Sequence, residues 1–305
     1  MKPSDAALPY VCLIIAMVLW ASTFVALKLA FQSYDPMVVI FGRMLVASLC
    51  AFFFPAVFKQ IPFRKKDLKT IAFMVICEPC LYFTFEARAL VYTSAAQAGM
   101  ITSMMPLLVA VGAWLLLNET LSRTACLGFA MAVTGALWLS LASGSTIHGP
   151  RPLLGNVLEF MAMVCASGYA LSLKKLTRRY SPLFLTFIQA FGGAVFFFPA
   201  LFFPGTQLPA QFEVMPVTAI FYLGSAVTLG AYGFYNFGVS RIPASQATAF
   251  INLIPVFSMI LSTAILGERF TGTQYLASAL VLAGVILSQD PGGIFRAVIA
   301  GRKTI

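Results

Sequence analysis

Arg43, Glu78 and Glu86 are ionisable residues that stand inside apolar stretches of the sequence. A charge in a hydrocarbon-length segment is costly, so it faces protein or water and usually has a partner. Arg43 lies roughly 9 Å in from one end of its stretch at 1.5 Å per residue. Glu86 matches that depth, so the two read as a structural charge pair, with Arg88 as a competitor for the same carboxylate. Glu78 lies nearer the middle with no obvious mate. It either titrates, faces a wet cavity or bonds neighbouring hydroxyls, and structural and functional readings of it both stand. Pro79 beside it and Tyr82 one turn on predict a locally opened, polar helix face. Cys77-Glu78-Pro79-Cys80 has the spacing of a metal or redox motif. The chain has only one His, His148 in a loop, to complete such a site, and all six Cys lie in apolar stretches. Buried small hydrophobes are the better reading, and neither a metal nor a cofactor is expected.

These residues must be positioned by membrane helices. The chain is 60% apolar and 10% charged with a mean hydropathy of +0.90, whereas charged residues make up about a quarter of soluble domains. Ten apolar stretches have spanning length, near 8–30, 37–58, 70–90, 95–117, 123–142, 153–173, 183–203, 215–238, 244–266 and 272–289, because a bilayer crossing takes about 20 residues. The first lacks a basic leading segment and an obvious cleavage site, so it reads as a retained helix and not a signal peptide. The fold class is all-α integral membrane, in contact with the lipid bilayer, with short links and no soluble domain.

Polar residues recur at defined depths in these helices. Trp20 falls past the middle of the first, where lining a cavity and packing on a neighbour are equal readings. In the fourth, Gln97, Gly99, Thr102 and Ser103 precede Pro106, which removes a backbone donor and clashes with the preceding turn, so a kink is expected there. The eighth is the most polar: Ser225, Thr228, Tyr232, Tyr235 and Asn236 recur at three- and four-residue spacing on one face. The ninth places Ser245, Thr248 and Asn252 one turn before Pro255. Pro106 and Pro255 read as hinges, or as plain adjustments of helix shape.

The chain contains this pattern twice. Setting position n against n+149 over 95–140 gives ten identities in 46 ungapped pairs. They include Ala95/Ala244, Gln97/Gln246, Pro106/Pro255, Glu119/Glu268 and Gly135/Gly284. Helices six and seven repeat one and two: Ala166-Ser167-Gly168-Tyr169 falls against Ala21-Ser22-Thr23-Phe24, and Ser181-Pro182 against Asp35-Pro36. Gln189 stands where the first half has Arg43. The expected boundaries are a first five-helix repeat at 1–146, a second at 147–290 and a basic tail at 291–305.

Five is odd, so the second copy enters the membrane upside down. Of the 20 Lys and Arg, 15 fall on one side if the helices alternate, concentrated at 59–69 and 174–179. The positive-inside rule makes that side cytoplasmic, with both termini inside. The net charge of +10 is therefore a topology signal and not a nucleic-acid surface. Inverted repeats with interrupted helices are a design of secondary transporters.

Leu19-Trp20-Ala21-Ser22-Thr23-Phe24, Arg43 and the two Ala…Pro…Glu blocks together resemble the drug/metabolite transporter superfamily, in particular its EamA-type ten-helix members, over residues 8–289. The resemblance implies two inverted five-helix repeats around a central cavity lined by helices 1, 3, 4, 6, 8 and 9. It also implies a multi-pass protein of a bacterial inner membrane that moves small organic metabolites, often exporting amino acids. On that footing the substrate-binding set is Trp20, Glu78, Tyr82, Gln97, Ser103, Tyr169, Tyr232, Asn236, Gln246 and Asn252, with Glu78, Arg43 and Glu86 as a proton or charge-pair site. Its aromatic, amide and hydroxyl character suits an amphipathic solute better than a sugar phosphate, which calls for several cavity-facing cations. The partners expected are a small metabolite, lipid and, if Glu78 carries a charge across, protons, the protein being a monomer or homodimer. The alternatives are a drug or cation efflux or uptake permease of the same fold and a membrane enzyme acting on lipid-linked groups. For the enzyme, one His, no clustered carboxylates and no phosphate loop leave little chemistry.

Overall fold

The computed structural model describes residues 3–59, 64–117, 123–143, 146–177, 179–241 and 250–288. Seven of its helices are long and apolar enough to span a membrane, and three shorter apolar ones, Cys126–Ala142, Phe250–Leu266 and Gly272–Leu287, bring the set to ten. We number these α1–α10. Six are simple: α1 (Pro3–Ala30), α2 (Pro36–Cys50), α5 (Arg123–Ala142), α6 (Pro152–Leu176), α7 (Pro182–Phe197) and α10 (Gly272–Ser288). The other four are interrupted, and they are the third and fourth helices of each repeat. In α3, Leu68–Val75 and Tyr82–Tyr92 flank a π segment at Ile76–Leu81. In α8, Val214–Tyr222 and Tyr232–Arg241 flank a π segment at Leu223–Ala231. α4 is split into Ala95–Thr102 and Met105–Leu117. α9 runs from a 3₁₀ turn at Phe250–Leu253 through Ile254–Leu261 to a π segment at Ser262–Leu266.

Local sequence accounts for the ends and the breaks. Pro36 and Pro182 open α2 and α7 at positions that need no backbone donor. Before them, Asp35 accepts from the Met37 N–H at 2.8 Å and Ser181 from the Phe184 N–H at 3.3 Å, each capping an otherwise unpaired donor. The break in α4 falls at Ser103-Met104, just ahead of Pro106, and the change from 3₁₀ to α geometry in α9 falls just ahead of Pro255. A proline ring displaces the preceding turn, so the interruption lies on its N-terminal side.

The packing follows the duplication. α2 lies on α7, α4 on α9 and α5 on α10, while α1 packs on α8 and α9 as α6 packs on α3 and α4. Exchanging each helix in these pairs for its counterpart five places on returns the same pairs, as a pseudo-twofold relation between inverted repeats requires. α5 and α10 touch most closely through their glycines. A Cβ at Gly135 would stand 2.8 Å from the Val281 backbone nitrogen, and one at Gly284 2.5 Å from that of Ala132. Small residues let membrane helices approach at this distance. The outer surface carries Phe52, Phe53, Leu141, Phe191 and Leu276, all mostly exposed, as a lipid-facing surface should.

Candidate functional site

The interrupted helices bring polar side chains to the inside of the bundle. Glu78 itself has extended backbone (φ −147°, ψ 117°) within the π segment of α3, and its peptide bond to Pro79 is cis. Its carboxylate meets α8, where Tyr232 donates its O–H to Glu78 Oε1. From α7, Gln189 Nε2 donates to the Glu78 carbonyl at 2.9 Å, and the Tyr169 side chain of α6 lies close to Gln189. Gln189 occupies the place that Arg43 has in the first repeat, so the duplicated position now supports the broken helix instead of carrying charge. Trp20 of α1 closes the group, its ring centroid 5.4 Å from that of Tyr232 and 5.0 Å from that of Tyr235. Glu78, Pro79, Gln189, Thr228 and Tyr232 help to line a cavity of about 10 Å³, room for about one water. The site is closed in this conformation.

Arg43 sits beside that cavity and is 2% exposed. Its Nε donates to Thr228 Oγ1 at 3.1 Å, and its guanidinium carbon lies 4.3 Å from the Phe83 ring centroid. Its NH1 is 4.0 Å from Glu86 Oε2, a charge pair without a hydrogen bond, since neither of those atoms has a bonded partner. The other oxygen, Glu86 Oε1, accepts the Tyr82 O–H at 2.8 Å. Glu86 therefore pairs with Arg43; Arg88, the competitor, is exposed.

Gln97 and Ser103 belong elsewhere. Gln97 Oε1 accepts from Asn156 Nδ2 at 2.9 Å, Asn156 Nδ2 also reaches Ser140 Oγ at 2.9 Å, and Thr93 donates to Asn156 Oδ1 at 2.7 Å. This amide cluster joins α3, α4, α5 and α6 near their ends. Ser103 is fully buried and bonds back to the Met100 carbonyl at 2.7 Å. It satisfies the break in its own helix. Asn252 is half-buried on α9. Gln246 lies outside the described residues, as do Glu119 and the side chain of Asn236.

The polar face expected along α8 is divided. Thr228 is buried, yet Ser225 is exposed and bonds to the Phe221 carbonyl at 2.5 Å. A π turn holds more residues than an α turn, so the segment 223–231 rotates Ser225 off the face that carries Thr228 and Tyr232. Periodicity at 3.6 residues could not anticipate this.

Sequence reasoning missed two buried contributors, Glu159 and Asn156. Glu159 in particular is a carboxylate within an apolar stretch, the same signal that singled out Glu78. A further carboxylate, Glu268 at the end of α9, crosses to the start of α4. Its two oxygens accept the Ala95 and Ala96 N–H groups at 2.9 and 3.2 Å, satisfying free donors at a helix N-terminus. Lys28 is within charge range of it and donates to the His148 carbonyl. This ties α1, α4, α9 and the loop before α6 together at the face opposite the basic loops. Cys77 and Cys80 are buried free thiols, and among the described residues no three His, Cys, Asp or Glu side chains gather as metal ligands.

Comparison with known proteins matches this arrangement to a family. The profile of the EamA-like transporter family matches residues 7–141 and again 153–289. The uncharacterized transporter YetK of Bacillus subtilis (strain 168) is 27% identical over 290 residues, covering 92% of this chain and 86% of its own. A probable terminal-alkyne amino-acid exporter of Streptantibioticus cattleyicolor is 26% identical over 281 residues, covering 90% and 91%. A solved crystal structure with 17% sequence identity superposes with a TM-score of 0.65 over 93% of this chain and 98% of that one, a likeness of fold.

Proposed function

Because the chain belongs to the EamA-like transporter family, we propose that this multi-pass membrane transporter exports a small amphipathic metabolite, an amino acid or a related compound, by alternating access. The repeats are 1–146 and 147–290, followed by a basic tail at 291–305. The setting is a bacterial inner membrane with the basic loops and both termini cytoplasmic, in keeping with the charge asymmetry. The single observation that carries the reading is the group Trp20, Glu78, Tyr169, Gln189 and Tyr232, which draws on α1, α3, α6, α7 and α8 and so on both repeats. A solute there touches both halves, and rocking one half on the other exposes it to either side. The carboxylate and the tyrosine and glutamine groups suit the ammonium and carboxyl ends of an amino acid, and Trp20 suits its apolar part. The relative with amino-acid exporter in its name supports this solute class.

A second reading, efflux of an organic cation by the same fold, is favoured by the aromatic rings around Glu78, which suit cation–π contact. Expression in a sensitised host followed by measurement of internal and external metabolites separates the two. Amino acids leaving the cell support export of that class. A protective effect against cationic drugs with no change in amino acids transfers the assignment to the second reading, and no reproducible change in any class undercuts both.

Glu78 is the proposed coupling group, by virtue of its depth and its single hydroxyl donor. Flux in proteoliposomes with and without a pH gradient, for wild type and Glu78→Gln, tests this. Equal flux in all four conditions removes proton coupling through Glu78.

A further inference from the structure

One interior carboxylate lies outside both the group around Glu78 and the Arg43–Glu86 pair. Glu159, two turns into α6, is completely buried. Its Oε1 receives only a long contact from Thr102 Oγ1, at 3.5 Å. Its Oε2 is buried without any hydrogen-bond partner. Among the described residues no Lys, Arg or His comes within 4.0 Å of it.

The surrounding elements do not supply a counter-charge. From α3 the groups that act on Glu159 are Tyr82 and Glu86, and Glu86 is of the same sign. α4 presents Thr102 and has no Asp, Glu, Lys, Arg or His in Ala95–Leu117. α5 carries Arg123 and Cys126 in its first turn, at the basic face, whereas Glu159 is nearer the opposite face. The deep guanidinium, Arg43, is already directed at Glu86, Thr228 and the Phe83 ring. Among the described residues the deep interior thus holds three carboxylates, Glu78, Glu86 and Glu159, against one guanidinium. An isolated ionised carboxylate in such surroundings is strongly disfavoured even after the protein relaxes, and a like charge nearby adds to that. A proton on the carboxyl removes the cost.

We propose that Glu159 is a proton-binding site of the transport pathway, loaded in the closed conformation and emptied when the bundle opens. The release step moves a proton from the Glu159 carboxyl to a water molecule entering along α4 and α6, leaving the carboxylate hydrated. The Thr102 hydroxyl, which lies against Oε1, positions the group for that exchange. This deepens the proposed transporter and rests on it for the second half of the claim, but the loaded state is a property of the resting protein alone.

The test has two arms. Infrared spectra of purified wild type and Glu159→Gln in lipid discs at neutral pH read the C=O stretch of protonated carboxyls. The proposal predicts that the variant loses one such band, and that Glu159→Asp and Thr102→Val keep it at a shifted frequency. Glu78→Gln leaves it in place. An unchanged protonated-carboxyl region in a folded Glu159→Gln overturns the proposal; should that variant not fold, absence of a frequency shift in both Glu159→Asp and Thr102→Val overturns it. The second arm measures flux against an imposed pH gradient. Glu159→Gln is expected to abolish stimulation by the gradient while flux down a solute gradient persists, and undiminished stimulation overturns the coupling role. A protein that shows the infrared band yet moves no solute sinks the transporter reading and leaves the proton site standing, so the two failures are distinct.

Discussion

Replacing Arg43 by Met is the perturbation whose consequence follows most directly from geometry. The guanidinium and Glu86 lie 4.0 Å apart, both essentially buried. At an effective dielectric of about 20, a pair at that distance attracts by about 4 kcal/mol. Arg43→Met also removes the Thr228 bond and the contact with Phe83, and strands Glu86, which keeps only the Tyr82 hydroxyl. Breaking a buried pair from one side costs roughly 3–5 kcal/mol, whereas replacing both partners with neutral groups is often close to neutral. Arg43→Met is therefore expected to lose about that much, and Arg43→Met/Glu86→Gln to recover about 2 kcal/mol or more of it. The assay is a double-mutant cycle on unfolding in mixed micelles. Residues in contact couple by about 0.5–3 kcal/mol, and independent ones add to within a few tenths. Additivity, or a double variant less stable than Arg43→Met, refutes the claim that Glu86 is held by Arg43.

The other predictions concern separate parts of the bundle. Gly284→Leu places side-chain atoms where a Cβ alone already meets Ala132 nitrogen at 2.5 Å, so thermal unfolding should show a loss of at least ~1–3 kcal/mol. Gly233→Ala, in a helix with nothing within 4 Å of the new carbon, should gain ~0.5–1 kcal/mol, provided the opposing measurements are made in the same lipid. Glu268→Gln weakens acceptance from Ala95 and Ala96. With hydrogen bonds to charged groups worth ~1.5–3 kcal/mol and about 1.4 kcal/mol per tenfold, a cysteine introduced by Ala98→Cys in a cysteine-free background should react with an impermeant thiol reagent at least ~10-fold faster. Unchanged labelling rates mean that this contact does not hold α4 and α9 together. Asn156→Ala removes the hub of Gln97, Thr93 and Ser140 and should cost ~2–4 kcal/mol, each stranded polar group contributing ~1–3 kcal/mol.

Much of this architecture is legible in the sequence because membrane burial restricts what each segment can be. Hydropathy locates the helices, with α5 matching its expected limits and α4 breaking beside Pro106 as its missing donor requires. The repeat at 149 residues predicts the mirrored halves and aligns Gly135 with Gly284, the two positions at which α5 and α10 turn out to approach closely. Depth alone pairs Arg43 with Glu86. Side-chain company within the interior is harder to read. Gln97 and Ser103 are polar, buried and on a broken helix, yet Gln97 joins Asn156 and Ser103 bonds to its own chain, since a buried polar group takes whichever partner lies nearest. Ser225 leaves the α8 face because a π segment changes the residue count per turn, and nothing in its composition marks that change. The capping of α4 by Glu268 depends on tertiary contact between elements far apart in sequence, so the duplicated Glu was visible while its partner was not.

The most direct measurement is counterflow of isotopically labelled amino acids in proteoliposomes containing wild type, Tyr232→Phe or Glu78→Gln. Tyr232 and Glu78 are bonded to each other inside the group that both repeats enclose. Wild type should show saturable exchange and Tyr232→Phe a loss of about tenfold or more in apparent affinity, as expected when a hydrogen bond to a charged group is removed, with Glu78→Gln impaired in the same direction. Exchange that is unaltered in both variants contradicts the placement of the site, and absence of exchange for every amino acid tested contradicts the proposed solute class.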